Sequence, residues 1–143
     1  MTPVMATEPG SNAPDELSES EWRRLLGSHT LGRVGGTSGG LPRIFPVCYV
    51  YDDGAIVFRT GTGSKLRAAA SGDVLAFEVD SYDPLSGQGW SVLVLGRAAV
   101  ITTEHEHAGL PTLDGSRVGG ARNHYVRLHC EMVSGRTITT SEF

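Results

Sequence analysis

Apolar positions along this chain change period once, near residue 30, and that change divides it into one helix followed by strands. Trp22, Leu25, Leu26 and His29 recur at helical spacing, which predicts a short helix burying one face. Ser18 and Glu21 stand at the spacing of a capping box, and Leu17 and Trp22 flank that cap as a hydrophobic staple. The helix is therefore expected to begin after Leu17 and to end by Gly32.

Beyond it, β-branched and aromatic residues alternate with polar ones. Thr30 to Val34 reads as a strand, followed by a turn containing Gly35, Gly36, Gly39 and Gly40. Ile44 to Tyr51 and Ala55 to Thr60 flank Asp52-Asp53-Gly54, which predicts a hairpin. Lys65 to Ala70 is a run of helix formers stopped by Ser71-Gly72-Asp73. Val74 to Val79 and Trp90 to Ile101 read as further strands, with a loop from Asp80 to Gly89 and a bulge or bend at Gly96. A last strand is expected over Asn123 to Cys130, with a short terminal one near Ser134 to Ile138. About six antiparallel strands with few helices argue for a barrel or sandwich. Residues 1–16, rich in Pro, Gly, Ser and Ala, read as a disordered tail, and residues 17–143 as one domain.

Composition narrows the function. The chain has 143 residues, 39% apolar and 20% charged, as in a soluble globular domain. Its net charge of −4, without a basic cluster larger than Lys65 and Arg67, argues against a nucleic-acid footprint. Apolar runs such as Val92–Leu95 fall far short of the roughly 20 residues that cross a bilayer, so no membrane role is expected. The amino terminus lacks a basic cap and apolar core, so a cytoplasmic protein is expected, with Cys48 and Cys130 as reduced thiols. Glu104, His105, Glu106 and His107 suggest a metal cluster, but no further ligand stands at recognised zinc spacing, so no metal is expected.

Three segments carry candidate chemistry. In Phe58-Arg59-Thr60-Gly61-Thr62-Gly63-Ser64-Lys65 a strand ends in a cation and a hydroxyl, and a glycine-rich turn then leads to a helix opening with Ser-Lys. That arrangement suits a phosphate monoester held by Arg59, Thr60, Ser64 and Lys65; it equally describes a plain β-to-α turn capped by Ser64. The order of a nucleoside-triphosphate loop is missing, as is the third glycine of a dinucleotide fingerprint. Gln88-Gly89-Trp90-Ser91 offers an indole beside an amide and a hydroxyl, fit to stack on a planar ligand or to fill a core. Pro46-Val47-Cys48 places a proline in mid-strand, which marks an edge or bulge and leaves backbone groups for a ligand or for solvent.

In this order the segments resemble the pyridoxamine 5′-phosphate oxidase-like family of FMN-binding split barrels. The resemblance spans Leu17 to about Arg136 and rests on HTLGRVGG, LPRIFPVCYVYDDGAIVFRTGTGSK, DVLAFEVD and GWSVLVLGRAAV. It implies a mainly β fold, a six-stranded antiparallel split β-barrel with a few short helices, dimeric, with FMN in the homodimer interface. On that pattern Arg59, Thr60, Ser64 and Lys65 take the phosphate and the Pro46, Val47 and Cys48 backbone lies beside the isoalloxazine. Gln88, Trp90 and Ser91 then approach the cofactor from the same or the other subunit, and Arg136 adds a cation near the carboxyl end. The chain ends SGRTITTSEF and lacks the Arg-Leu-x-Pro ending of true pyridoxamine phosphate oxidases, so vitamin B6 oxidation does not follow.

The implied function is a flavin-dependent oxidoreductase acting on a small organic substrate, such as a nitro compound or a quinone. Two alternatives share the fold. One is a reductase using the deazaflavin F420, whose acidic tail would meet Arg33, Arg43 and Arg67. The other is a non-enzymatic flavin- or haem-binding module. No catalytic acid or base is identifiable, because hydride chemistry belongs to the cofactor.

Overall fold

The structure is a computed structural model and describes residues 15–61, 63, 67–69, 71–101 and 124–139. Helix α1 (Glu19–Gly27) is followed by β1 (Leu31–Ser38), β2 (Leu41–Tyr51), β3 (Ala55–Thr60), β4 (Val74–Asp83), β5 (Gln88–Ile101), β6 (His124–His129) and β7 (Met132–Thr139). A second helical turn covers Arg67–Ala69.

Helix α1 starts where its sequence says it should. The Glu21 amide donates to Ser18 Oγ at 3.3 Å and the Ser18 amide to Glu21 Oε1 at 2.8 Å, completing the capping box. Trp22, Leu25 and Leu26 are buried, and each such side chain contributes roughly 1.5–3 kcal/mol of burial. The helix stops at Gly27, short of Gly32, because Gly32 is already in β1 with Phe77 against it, where a Cβ would collide with the ring.

Strand β1 also runs further than its glycines suggest. Gly35 and Gly36 lie inside the strand, paired with Ile44 and Arg43, and only Gly39 and Gly40 turn. Their φ values of 59° and 79° are those of a two-residue type I′ hairpin. The β2–β3 hairpin uses the same device, with Asp53 at φ 47° and Gly54 at φ 83° between the paired Asp52 and Ala55 backbones. Strands β4 and β5 continue through Asp80–Asp83 and Gln88–Gly89, which read as a loop in sequence. Their side chains there are largely exposed, so the ladder extends without the apolar alternation that marks a buried strand.

The strands close a six-membered antiparallel barrel in the order β1-β2-β3-β6-β5-β4, with the β4–β1 pairing completing the ring. Strand β7 prolongs β6 along the same edge of β5: Ala98–Ile101 pair with β6 and Gln88–Leu95 with β7. The break falls at Cys130–Glu131 opposite Gly96, which confirms the expected irregularity but puts the extra residue on the partner strand. Tyr49, Phe58, Phe77, Val94 and Leu128 fill the interior, and α1 packs onto it through Trp22 and Leu26.

The residues just before α1 are also held. Asp15 and Glu16, whose composition predicts a tail, run beside β7. The Thr137 amide donates to the Asp15 carbonyl at 2.8 Å, and the Leu17 amide to the Gly135 carbonyl at 2.8 Å. No described helix is long and apolar enough to cross a membrane.

Candidate functional site

The barrel is split between β2 and β3. The two strands pair only from Tyr49 to Tyr51, against Phe58 to Ile56. Toward Pro46, β2 keeps β1 as its partner, while no β3 ladder partner is present on the other edge among the described residues. The mid-strand proline is thus accommodated at an edge, where its missing N–H costs no ladder bond. Continuing the register brings Cys48 level with Arg59, Val47 level with Thr60, and Pro46 level with Gly61. The Pro46–Cys48 backbone and the end of β3 therefore face each other across the gap.

Alternation separates the side chains at this gap. Val47 and Thr60 point into the barrel and are buried, Thr60 being only 5% exposed. Arg59 points to the outer face, in one cross-strand row with Tyr125 and Ile101. Val57 and Ile101, on that same face, are buried. In those surroundings Arg59 Nε is buried with no hydrogen-bond partner among the described residues. Trp22 Nε1 shares that condition but sits within the packed interior. Of these two described residues, Arg59 is the one beside an open edge, and a buried unmatched donor costs about 1–3 kcal/mol until an acceptor meets it.

After Thr60 the chain passes Gly61 and Gly63, the latter at φ 141°, a conformation that L side chains rarely adopt. The Arg67 amide then closes a helical bond to the Gly63 carbonyl at 3.0 Å. Ser64 and Lys65, the other two expected phosphate ligands, lie outside the described residues, as does the Glu104–His107 cluster. No group of three or more His, Cys, Asp or Glu that could hold a metal occurs among the described residues.

The remaining candidates are at the far end of the barrel. Trp90 is half-buried, with its ring 4.9 Å from that of His29 in an edge-on contact. Ser91 is on the opposite face of β5, level with Asp80 and Arg136. Arg136 forms a 2.8 Å ion pair with Asp15. Its guanidinium, chiefly by hydrogen bonding, holds the Asp15 carboxyl below the usual carboxylate range. Ser91 and Ile101, the latter in the Arg59 row, are separated by about 30 Å of strand. One chain thus gathers Pro46, Val47, Cys48, Arg59 and Thr60, and sets Gln88, Trp90, Ser91 and Arg136 elsewhere.

Glu78, not among the residues that the sequence singles out, is a further feature of the outer wall. It faces outward from β4 between Arg33 of β1 and Leu93 of β5. Burial first, then the hydrogen bond and charge of Asp80, push its carboxyl up from 4.5 to about 7, with Arg33 opposing. The available signal was Glu78-x-Asp80, two carboxylates on one face of a strand, within an otherwise apolar segment.

The closed six-stranded ring and the parting of β2 from β3 define a split β-barrel. The sequence matches the pyridoxamine 5′-phosphate oxidase family over residues 18–137, and the chain belongs to that family. It is 35% identical over 125 residues to the uncharacterized protein Rv0080 of Mycobacterium tuberculosis, covering 84% of this chain and 82% of that one. The FAD binding protein of Mycobacterium smegmatis superposes with a TM-score of 0.68 at 33% identity, covering 87% of this chain and 98% of that chain. The FAD and heme binding protein of the same organism shares the fold, with a TM-score of 0.64 at 19% identity, over 85% of this chain and 71% of that one.

Proposed function

We propose that this protein binds a flavin, FMN in the first instance, at the split between β2 and β3, and uses it as an oxidoreductase on a small organic substrate. The observation that carries the reading is the buried, unmatched Nε of Arg59 beside the unpaired Pro46–Cys48 edge. A phosphate oxygen supplies the acceptor that Arg59 lacks, and Thr60, Ser64 and Lys65 complete the cradle. The open backbone edge suits the donor and acceptor rim of an isoalloxazine. The flavin, when bound, supplies hydride transfer. The chain's own part is to hold the phosphate, to orient the ring against β2, and to keep water from it with the buried Val47.

The protein acts as a homodimer in this reading. Gln88, Trp90 and Ser91 are too far along β5 from the Arg59 row to reach the same flavin within one chain, whereas a second copy brings them to it. The cellular setting is the cytoplasm, with Cys48 and Cys130 as thiols. A second reading, FAD in place of FMN, is favoured by the M. smegmatis relative that binds FAD.

The test is the absorbance spectrum of the purified protein with the mass of the released ligand, alongside its molar mass in solution. FMN or FAD in a dimer supports the proposal; a deazaflavin mass points to F420, and a Soret band without flavin to a haem module. Removing both cations, as Arg59→Ala with Lys65→Ala, is expected to weaken flavin binding about a hundredfold, since charged hydrogen bonds contribute about 1.5–3 kcal/mol each. Unchanged affinity would refute the cradle.

A further inference from the structure

Strands β4 and β5 run on past the barrel as an arm. Their last buried pair is Val79 with Val92. Four further pairs, from Asp80–Ser91 to Asp83–Gln88, carry the ladder about 13 Å beyond it. Arg136–Thr139 of β7 support the arm along its β5 edge. Asp80 to Ser86 are all exposed, yet the tip is fixed. The Leu85 amide donates to Asp83 Oδ1 at 3.0 Å and the Gly87 amide to the Asp83 carbonyl at 2.8 Å, with Gly87 at φ 72°. Those bonds hold Leu85 outward at 96% exposure. A leucine ordered in advance at the end of an arm loses little further entropy when a partner covers it.

A place for that leucine lies at the other end of the same two strands. An open groove of about 1140 Å³ there is lined by Ile44, Gly35, Ala76 and Leu95. These four are register partners across β2, β1, β4 and β5, and Ile44 is 75% exposed. The charged residues of the groove are Arg43, Arg97 and Asp73, a net positive set. Between Asp80 and Ser91 the arm carries two aspartates and no cation, and Arg136 beside it is already matched by Asp15. Arm and groove thus complement each other in apolar character and in sign. They cannot meet within one chain, because Ala76 and Asp83 are seven residues, about 23 Å, apart on one strand.

We infer that the β4–β5 arm of each copy docks on a second copy of this chain, with Leu85 seated against Ile44 in the partner's groove. The inference rests on the homodimer reading above and names the surfaces through which the two copies meet. Because arm and groove are at opposite ends of β4 and β5, one twofold axis crossing those strands seats both arms together and closes the assembly at two copies. Pro46 and Cys48 are two and four residues from Ile44, on the side from which the arm arrives. Gln88 follows Leu85 by three residues, so a seated arm lays the partner's Gln88 about 10 Å behind the tip, level with the Pro46–Cys48 edge. Association of the copies and completion of the flavin edge are then one event.

The experiment measures the dimer dissociation constant by sedimentation equilibrium for the full chain as purified, for Leu85→Lys, for Ile44→Glu, and for an equimolar mixture of the two variants. Each variant alone meets its own copy through two spoiled contacts. A mixed dimer has one parental contact and one lysine–glutamate contact. Each variant is expected to associate about thirtyfold more weakly than the parent, and the mixture to return to within about fivefold of it. Both residues are exposed, and recovery in the mixture also reports that both variants are folded. Variants that associate as tightly as the parent overturn the docking, as does a mixture that stays as weak as its components. In either case a dimeric parent leaves the homodimer reading standing. A parent that is monomeric at every concentration ends both.

Discussion

Gly96 of β5 lies against the His129 carbonyl oxygen at the point where β6 gives way to β7, so closely that a Cβ at position 96 would overlap it. The Glu131 amide donates to the Leu95 carbonyl at 3.1 Å, and the Arg97 amide to Glu131 Oε2 at 2.8 Å, so the break is clamped on both sides. A neighbour made of backbone cannot turn aside as a flexible side chain would. Gly96→Ala is therefore expected to destabilise the fold by about 2–4 kcal/mol, read as a lower urea midpoint with an unchanged slope. A variant as stable as the parent would show that the two strands are free to separate there.

Tyr49 ties the barrel to α1. Its hydroxyl donates to the Leu26 carbonyl at 2.7 Å, and its ring meets Phe77 edge-on at 4.7 Å. Burial pushes the Tyr49 hydroxyl up to about 12, so it stays a donor throughout the working range. Tyr49→Phe keeps the ring contact and leaves a carbonyl unmatched, at a cost of about 1–2 kcal/mol in urea unfolding. A loss near zero would mean that water replaces the hydroxyl.

Glu78 makes stability depend on pH. With its carboxyl raised from 4.5 to about 7, the folded chain holds this proton more tightly than the unfolded chain does. The stabilisation is full below about pH 4.5 and fades as pH climbs through 7. Glu78→Gln is expected to flatten the fall in melting temperature between pH 5 and pH 8. The effect is of order 1 kcal/mol after allowing for partial solvent screening. An identical slope in parent and variant would show that Glu78 titrates as an ordinary carboxyl.

The two thiols are expected to differ in accessibility. Both are free, Cys48 exposed and Cys130 buried. Burial pushes the Cys130 thiol up to about 12, against a smaller opposing effect of Arg23, which keeps it protonated and shielded. Under native conditions a maleimide should add once, at Cys48, and a second time only in denaturant, as mass spectrometry would show. Because Cys48 is on the open β2 edge, flavin saturation is expected to slow the first addition. Native labelling of Cys130 would mean that the β6–β7 break opens.

Much of this was written locally. The α1 cap needs only Ser18 and Glu21 three residues apart, and the β2–β3 turn needs only Asp53-Gly54, so both are read without knowing the fold. The Pro46 edge is likewise a statement about one residue's missing N–H. Other elements escaped local reading because partners far along the chain decide them. Gly35 and Gly36 look like a turn until β4 lies beside them, with Leu75 where a Gly36 Cβ would be. Asp80–Asp83 looks like a loop until Gln88–Ser91 pairs with it.

Arg59, Thr60, Ser64 and Lys65 could be picked from the order of cation, hydroxyl and glycine, because phosphate recognition uses contiguous backbone and side chains. What that order does not contain is the unmatched state of Arg59 Nε, or the gap that sets it opposite Pro46–Cys48. Those come from two strands that pair over three residues and then part. Sequence by itself determined which residues can carry charge, cap a helix or turn a strand, since these are properties of single side chains and short spacings. Tertiary structure alone decided which of them meet, because alternation and register send neighbours to opposite faces and bring distant residues into one row.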